Sequence, residues 1–65
     1  MKLPKPGKLY RYDWGDNDYV NNTPRLLLNI EIFGAQYRFY WLRHGKMFYS
    51  YHYLEEFWRT HVEVK

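Results

Sequence analysis

Between Arg25 and Tyr53 the chain reads "RLLLNIEIF-GA-QYRFYWLR-HG-KMFYSYHY". Three runs rich in β-forming residues are separated only by Gly34-Ala35 and His44-Gly45. Two-residue connections join antiparallel neighbours and nothing else, so these runs predict a three-strand meander over Arg25–Phe33, Gln36–Arg43 and Lys46–Tyr53. Side chains alternate across a strand. Leu26, Leu28, Ile30 and Ile32 therefore share one face of the first run, and this wholly apolar set is the expected core face. Arg25, Leu27, Asn29, Glu31 and Phe33 share the other. In the second run Tyr37, Phe39 and Trp41 oppose Arg38, Tyr40 and Leu42. In the third, Phe48, Ser50 and His52 oppose Met47, Tyr49, Tyr51 and Tyr53.

The flanks are shorter. Met1–Lys8, with two prolines, predicts an extended arm or a frayed terminus. Leu9–Asp13, "LYRYD", predicts a first strand. "WGDNDYVNNTP", Trp14–Pro24, has no hydrophobic period and is rich in Gly, Asn, Asp and Pro, which predicts a long loop. After Tyr53 the period changes. Tyr53, Leu54, Phe57 and Trp58 fall on one side of a helical turn, with Glu55 and Glu56 on the other. "THVEVK", Thr60–Lys65, alternates again and predicts a closing strand. The expected organisation is an arm over residues 1–8 and a single mostly β domain over 9–65. Its five short strands close into a small barrel, with one short helical turn before the last strand. The other fold compatible with the pattern is an α+β sheet in which Ser50–His61 is a helix.

Size makes the interior the critical question. A chain of 65 residues buries only about 60% of the surface its unfolded form exposes. It has no cysteine, so neither disulfides nor thiolate–zinc sites staple it. Large apolar side chains or association must hold it together. The chain carries eight Tyr, four Phe and three Trp, and ten of these aromatics lie between Gln36 and Trp58. The expected core takes Leu9, Leu26, Leu28, Ile30, Ile32, Phe39, Trp41, Phe48, Leu54, Phe57 and Val62 or Val64. Tyr10, Tyr12, Trp14, Tyr19, Tyr40, Tyr49, Tyr51, Tyr53 and Trp58 are left without an obvious place inside. Tyrosine and tryptophan are the residues that anchor protein interfaces, because they bring large contact area at small entropic cost.

The order of strand, long loop, two tight hairpins, helical turn and final strand resembles an SH3-like barrel. "KLYRYD", Lys8–Asp13, is similar to the A-L-Y-D-Y motif of eukaryotic SH3 domains at Leu9, Tyr10 and Tyr12. The paired tryptophans and S-N-Y-V stretch of those domains are missing, so their proline-peptide groove is not carried over. The pattern looks more like the stand-alone SH3-like proteins of bacteria and phages, with Gly45-Lys46 opening the fourth strand and Leu54-Glu55 in the turn before the fifth. That resemblance implies a phage-type accessory protein that binds and modulates or inhibits a host protein.

No catalytic constellation is expected. Ser50 and His52 share a strand face, but the spacing of alternate residues puts them about 7 Å apart. No glycine-rich phosphate loop is present. No metal or other cofactor is expected either. Asp16-x-Asp18 lacks the glycine and glutamate of a calcium loop, and His44, His52 and His61 match no short-range ligand spacing. "MKLPKPGK" has no apolar stretch of a signal peptide, and the longest strongly apolar run, Leu26–Leu28, is far short of the roughly 20 residues of a membrane span. The expected setting is cytoplasmic, a host cytosol for a phage protein, without membrane association. Ten Lys/Arg against seven Asp/Glu, net +3, permits an acidic protein surface or nucleic acid as partner without requiring either.

The expected function is therefore non-catalytic protein binding. Tyr40, Tyr49, Tyr51 and Trp58 are the anchors and Arg38 their polar partner, with Trp14 and Tyr19 of the long loop as a second set. Two other readings stand beside it: a small barrel that holds single-stranded nucleic acid by stacking and phosphate contacts, and a structural subunit that self-associates into homo-oligomers.

Overall fold

A computed structural model describes residues 2–13 and 23–65 of the chain. It is mostly β. Strands β1 (Leu9–Tyr12), β2 (Arg25–Phe33), β3 (Gln36–Arg43) and β4 (Lys46–His52) are followed by helix α1 (Leu54–Thr60) and strand β5 (His61–Val64). All neighbours are antiparallel, in the order β4-β3-β2-β1-β5. The predicted loop falls mainly on residues outside those described.

The meander forms where the alternation placed it, and turn chemistry explains why. His44 and Gly45 both adopt left-handed backbone, φ 54° and 73°. That twist matches the flanking strands, and histidine tolerates it better than most residues. Gly34 supplies φ 64° in the first turn.

The expected closed barrel is not formed. Among the described residues β4 and β5 lie at opposite edges of one open sheet and do not pair. The connection between them is α1, which crosses one face of the sheet. Phe57 carries that crossing. It is fully buried, stacked on Phe39 at 4.7 Å and on His61 at 4.4 Å, with Trp41 at 6.2 Å and the Tyr10 edge at 5.5 Å. Glu55 and Glu56 in the first turn and Arg59 in the last suit the helix dipole. The α+β alternative holds only in part: β4 runs to His52, so the helix is confined to seven residues.

Two assignments to the core are corrected. In β2 the buried residues are Leu27 and, at 8% exposure, Arg25, whereas Leu26 and Leu28 are half-buried. The cause is a β-bulge. Leu27 pairs with Trp41 and Asn29 with Tyr40, so two steps on β2 meet one on β3. The extra residue switches the inward parity of the strand. Ile30 and Ile32 then share the face of Phe39 and Tyr37 as expected, but Ile32 lies beyond the helix at the hairpin tip and is 75% exposed. The second correction is Tyr10, which is buried at the centre of the core while Leu9 is exposed. Its hydroxyl is satisfied there, because it accepts the Lys5 amide at 3.1 Å. The arm that supplies this amide is docked. Gly7 N–H donates to the Leu27 carbonyl at 2.8 Å, and Leu27 N–H donates to that of Lys8 at 3.0 Å.

Phe57→Ala is expected to cost about 3–5 kcal/mol, since it empties the contact between helix and sheet, whereas Ile32→Ala should change stability by less than about 0.5 kcal/mol. Urea unfolding followed by tryptophan fluorescence checks both, and equal effects would contradict this core.

Candidate functional site

The face of the sheet opposite α1 is built by cross-strand pairing. Glu31, Arg38 and Tyr51 stand side by side on β2, β3 and β4, and the next row brings Tyr40 beside Tyr49. Phe33 and Met47 lie on the same face by alternation. Arg38 is at the centre. Its guanidinium donates to Tyr40 Oη at 2.9 Å and Glu31 Oε1 at 3.2 Å, and Tyr40 O–H donates to Glu31 Oε1 at 2.6 Å. The guanidinium carbon also lies 4.5 Å from the Phe33 ring, 5.3 Å from Tyr51, 5.6 Å from Tyr49 and 5.9 Å from Tyr40. The bond to Tyr40 raises the Arg38 pKa above its ordinary value, so the group is a fixed cation ringed by π-faces.

The rings touch one another as well. Phe33 meets Tyr51 at 5.0 Å, and Tyr49 meets Tyr51 edge-on at 5.7 Å. Met47 is 72% exposed, Tyr49 59% and Tyr51 37%. A shallow depression of about 270 Å³ opens between Tyr40, Met47, Phe48 and Tyr49. Ligand pockets run from roughly 300 to 1,000 Å³, so this one suits an inserted side chain better than a cofactor.

Of the anchors expected from sequence, Tyr40, Tyr49, Tyr51 and Arg38 come together. Trp58 does not join them. It sits on α1 beyond the other face, edge-on to Tyr10 at 6.2 Å, and its indole N–H donates to the Lys2 carbonyl at 2.7 Å. Its position pins the N-terminal arm. Trp14 and Tyr19 lie outside the described residues. Phe33, Met47 and Glu31 were missed as site residues, although alternation alone put Phe33 and Glu31 on one face and Met47 beside Tyr49.

The second polar cluster lies on the helix side. Ser50 Oγ is 2.9 Å from His52 Nε2, not the 7 Å expected from strand spacing. That spacing separates the backbones, and the imidazole reaches across the gap. His52 Nδ1 is 3.8 Å from Glu56 Oε1. Nucleophile, base and acid thus line up in outline. The same hydroxyl, however, also accepts the N–H of fully buried Trp41 at 2.9 Å, which turns it toward the core. The line orients Trp41 and His52. Among the described residues no three His, Asp or Glu gather to hold a metal, and no helix is long and apolar enough to cross a membrane.

Next to this cluster His61 stacks on Phe57 and Trp41, 2% exposed. Thr60 Oγ1 donates to the Glu56 carbonyl at 3.0 Å and lies 2.9 Å from His61 Nδ1. It therefore accepts the Nδ1 proton, and Nε2 lies buried with no hydrogen-bond partner among the described residues. Burial first, then the charges of His52 and Arg25, push the His61 pKa down to about 3, and burial lowers His52 too.

In comparisons with protein-family profiles, curated proteins and solved structures, none matched this chain.

The two lowered histidines make stability depend on pH. Each binds its proton better in the unfolded chain, near pH 6.5, than in the fold. Both contributions are complete above pH 6.5 and decline as pH falls below it; for His61 the decline continues toward pH 3, by up to about 1.4 kcal/mol per unit. Urea midpoints taken between pH 7.5 and 5, above the carboxylate range, should fall with pH. His61→Phe should flatten that slope. A wild-type midpoint constant over this range would contradict the lowered pKa of buried His61 and half-buried His52.

Proposed function

We propose that this chain is a non-catalytic protein-binding module whose contact surface is the Arg38 face. One observation carries the reading: four aromatic rings lie within 5.9 Å of a single guanidinium on a face that the helix leaves uncovered. Tyrosine and arginine are the residues over-represented among interface hot spots. The triangle of Arg38, Glu31 and Tyr40 fixes their geometry before a partner arrives, which lowers the entropic cost of binding. The Glu31 carboxylate at the centre offsets the Arg38 charge, which favours a protein surface over a phosphate backbone. The resemblance to stand-alone SH3-like proteins of bacteria and phages supports the finer reading, an accessory protein that binds and modulates a host protein.

The test is capture from host lysate with tagged wild type beside the Tyr49→Ala/Tyr51→Ala double variant, with nuclease added, at low and moderate salt. One stoichiometric protein is expected, reduced at least about tenfold in the variant, as the loss of hot-spot aromatics implies. Binding that disappears with nuclease, or falls steeply with salt, would overturn this reading in favour of nucleic acid. Capture that is equal in wild type and variant would remove the site from this face.

A further inference from the structure

The two edges of the open sheet are unequal. β5 has four residues and carries Glu63, with Lys65 following, the kind of short, charged edge that resists pairing. β4 has seven residues, "KMFYSYH", with no proline and an unbroken register against β3. Its one lysine or arginine is Lys46, at the first position. Among the described residues nothing pairs with its outer side.

The register shows what that side presents. Arg43 and Lys46 close the two-residue turn, so they form a hydrogen-bonded pair. Parity then directs the backbone groups of Phe48, Ser50 and His52 toward β3. Those of Met47, Tyr49 and Tyr51 point outward. The residues with outward backbone are also the ones with exposed side chains on the Arg38 face.

We propose that β4 pairs antiparallel with β4 of a second copy of this chain, about a two-fold axis through Tyr49. This register places Tyr49 against the second copy's Tyr49 and Met47 against its Tyr51. Every outward N–H of the three residues then meets an outward carbonyl, three per strand and six bonds in all. Large side chains meet on one face, the arrangement that stabilises cross-strand pairs. On the other face Lys46 falls opposite the second copy's His52. The Glu56 carboxylate stands 3.8 Å from that imidazole and supplies the opposite charge. The pairing is isologous and closes on itself, so it yields a dimer and not a filament. Its product is one continuous sheet with two Arg38 faces side by side. It rests on the backbone edge and is independent of what the Arg38 face binds.

Sedimentation equilibrium of the full chain, from low micromolar to near-millimolar concentration, tests the pairing. The expected species is twice the 8.2 kDa monomer mass. Met47→Pro removes an outward donor without touching the β3 ladder, a position where an edge strand accepts proline. It should weaken association at least about tenfold while its circular dichroism stays that of wild type. If the variant does not fold, amide exchange on wild type decides. Met47, Tyr49 and Tyr51 should gain protection as concentration rises, and the β5 edge should not. A monomer at every concentration, a species larger than a dimer, or a dimer without added protection on β4 would overturn the proposal.

Discussion

The stack of Phe57 on Phe39, with Trp41, His61 and Tyr10 around it, is the contact on which everything else depends. It brings a helix of only seven residues onto a five-stranded sheet. A helix that short is marginal by propensity, and packing must hold it in place. One phenyl ring against aromatic partners from β1, β3 and β5 provides that packing. Because the helix covers one face only, the other face has to accommodate its large side chains without a second layer.

Arg38 is how it does so. The guanidinium lies against four rings and is anchored by Tyr40 and Glu31, so a surface rich in tyrosine has one preferred arrangement. The same division explains the two histidines on the helix side. His61 stacks on Phe57 and Trp41 while His52 meets Phe39 and Phe57 edge-on, and burial lowers the pKa of both, so they help to fill a core that has no disulfide. Order on one face is hydrophobic and on the other electrostatic. The open β4 edge joins the two.

Much of this was legible in the residues. The bounds of β2 and β3, the two turns and the facing of Tyr40, Tyr49 and Tyr51 follow from alternation and from two-residue connections. The site was legible because its members sit directly opposite one another in a regular register. What was not legible came from irregular or distant pairing. The bulge after Leu27 leaves a wholly apolar alternation, Leu26 to Ile32, looking like a core face while the strand turns over midway. Tyr10 reads as a surface residue until the arm supplies a hydrogen bond to its hydroxyl. Trp58 reads as a free anchor until the Lys2 carbonyl takes its indole N–H.

The meander, its turns, the short helix and the common face of Arg38 with the tyrosines are thus encoded locally, because each depends on neighbours a few residues away along a strand or across a tight turn. Tertiary packing set which side chains of β2 face inward, which aromatics are core, and that among the described residues the sheet stays open with β4 at its edge. Those outcomes turn on contacts between distant segments, where a single extra residue or a single satisfied hydroxyl outweighs any local pattern.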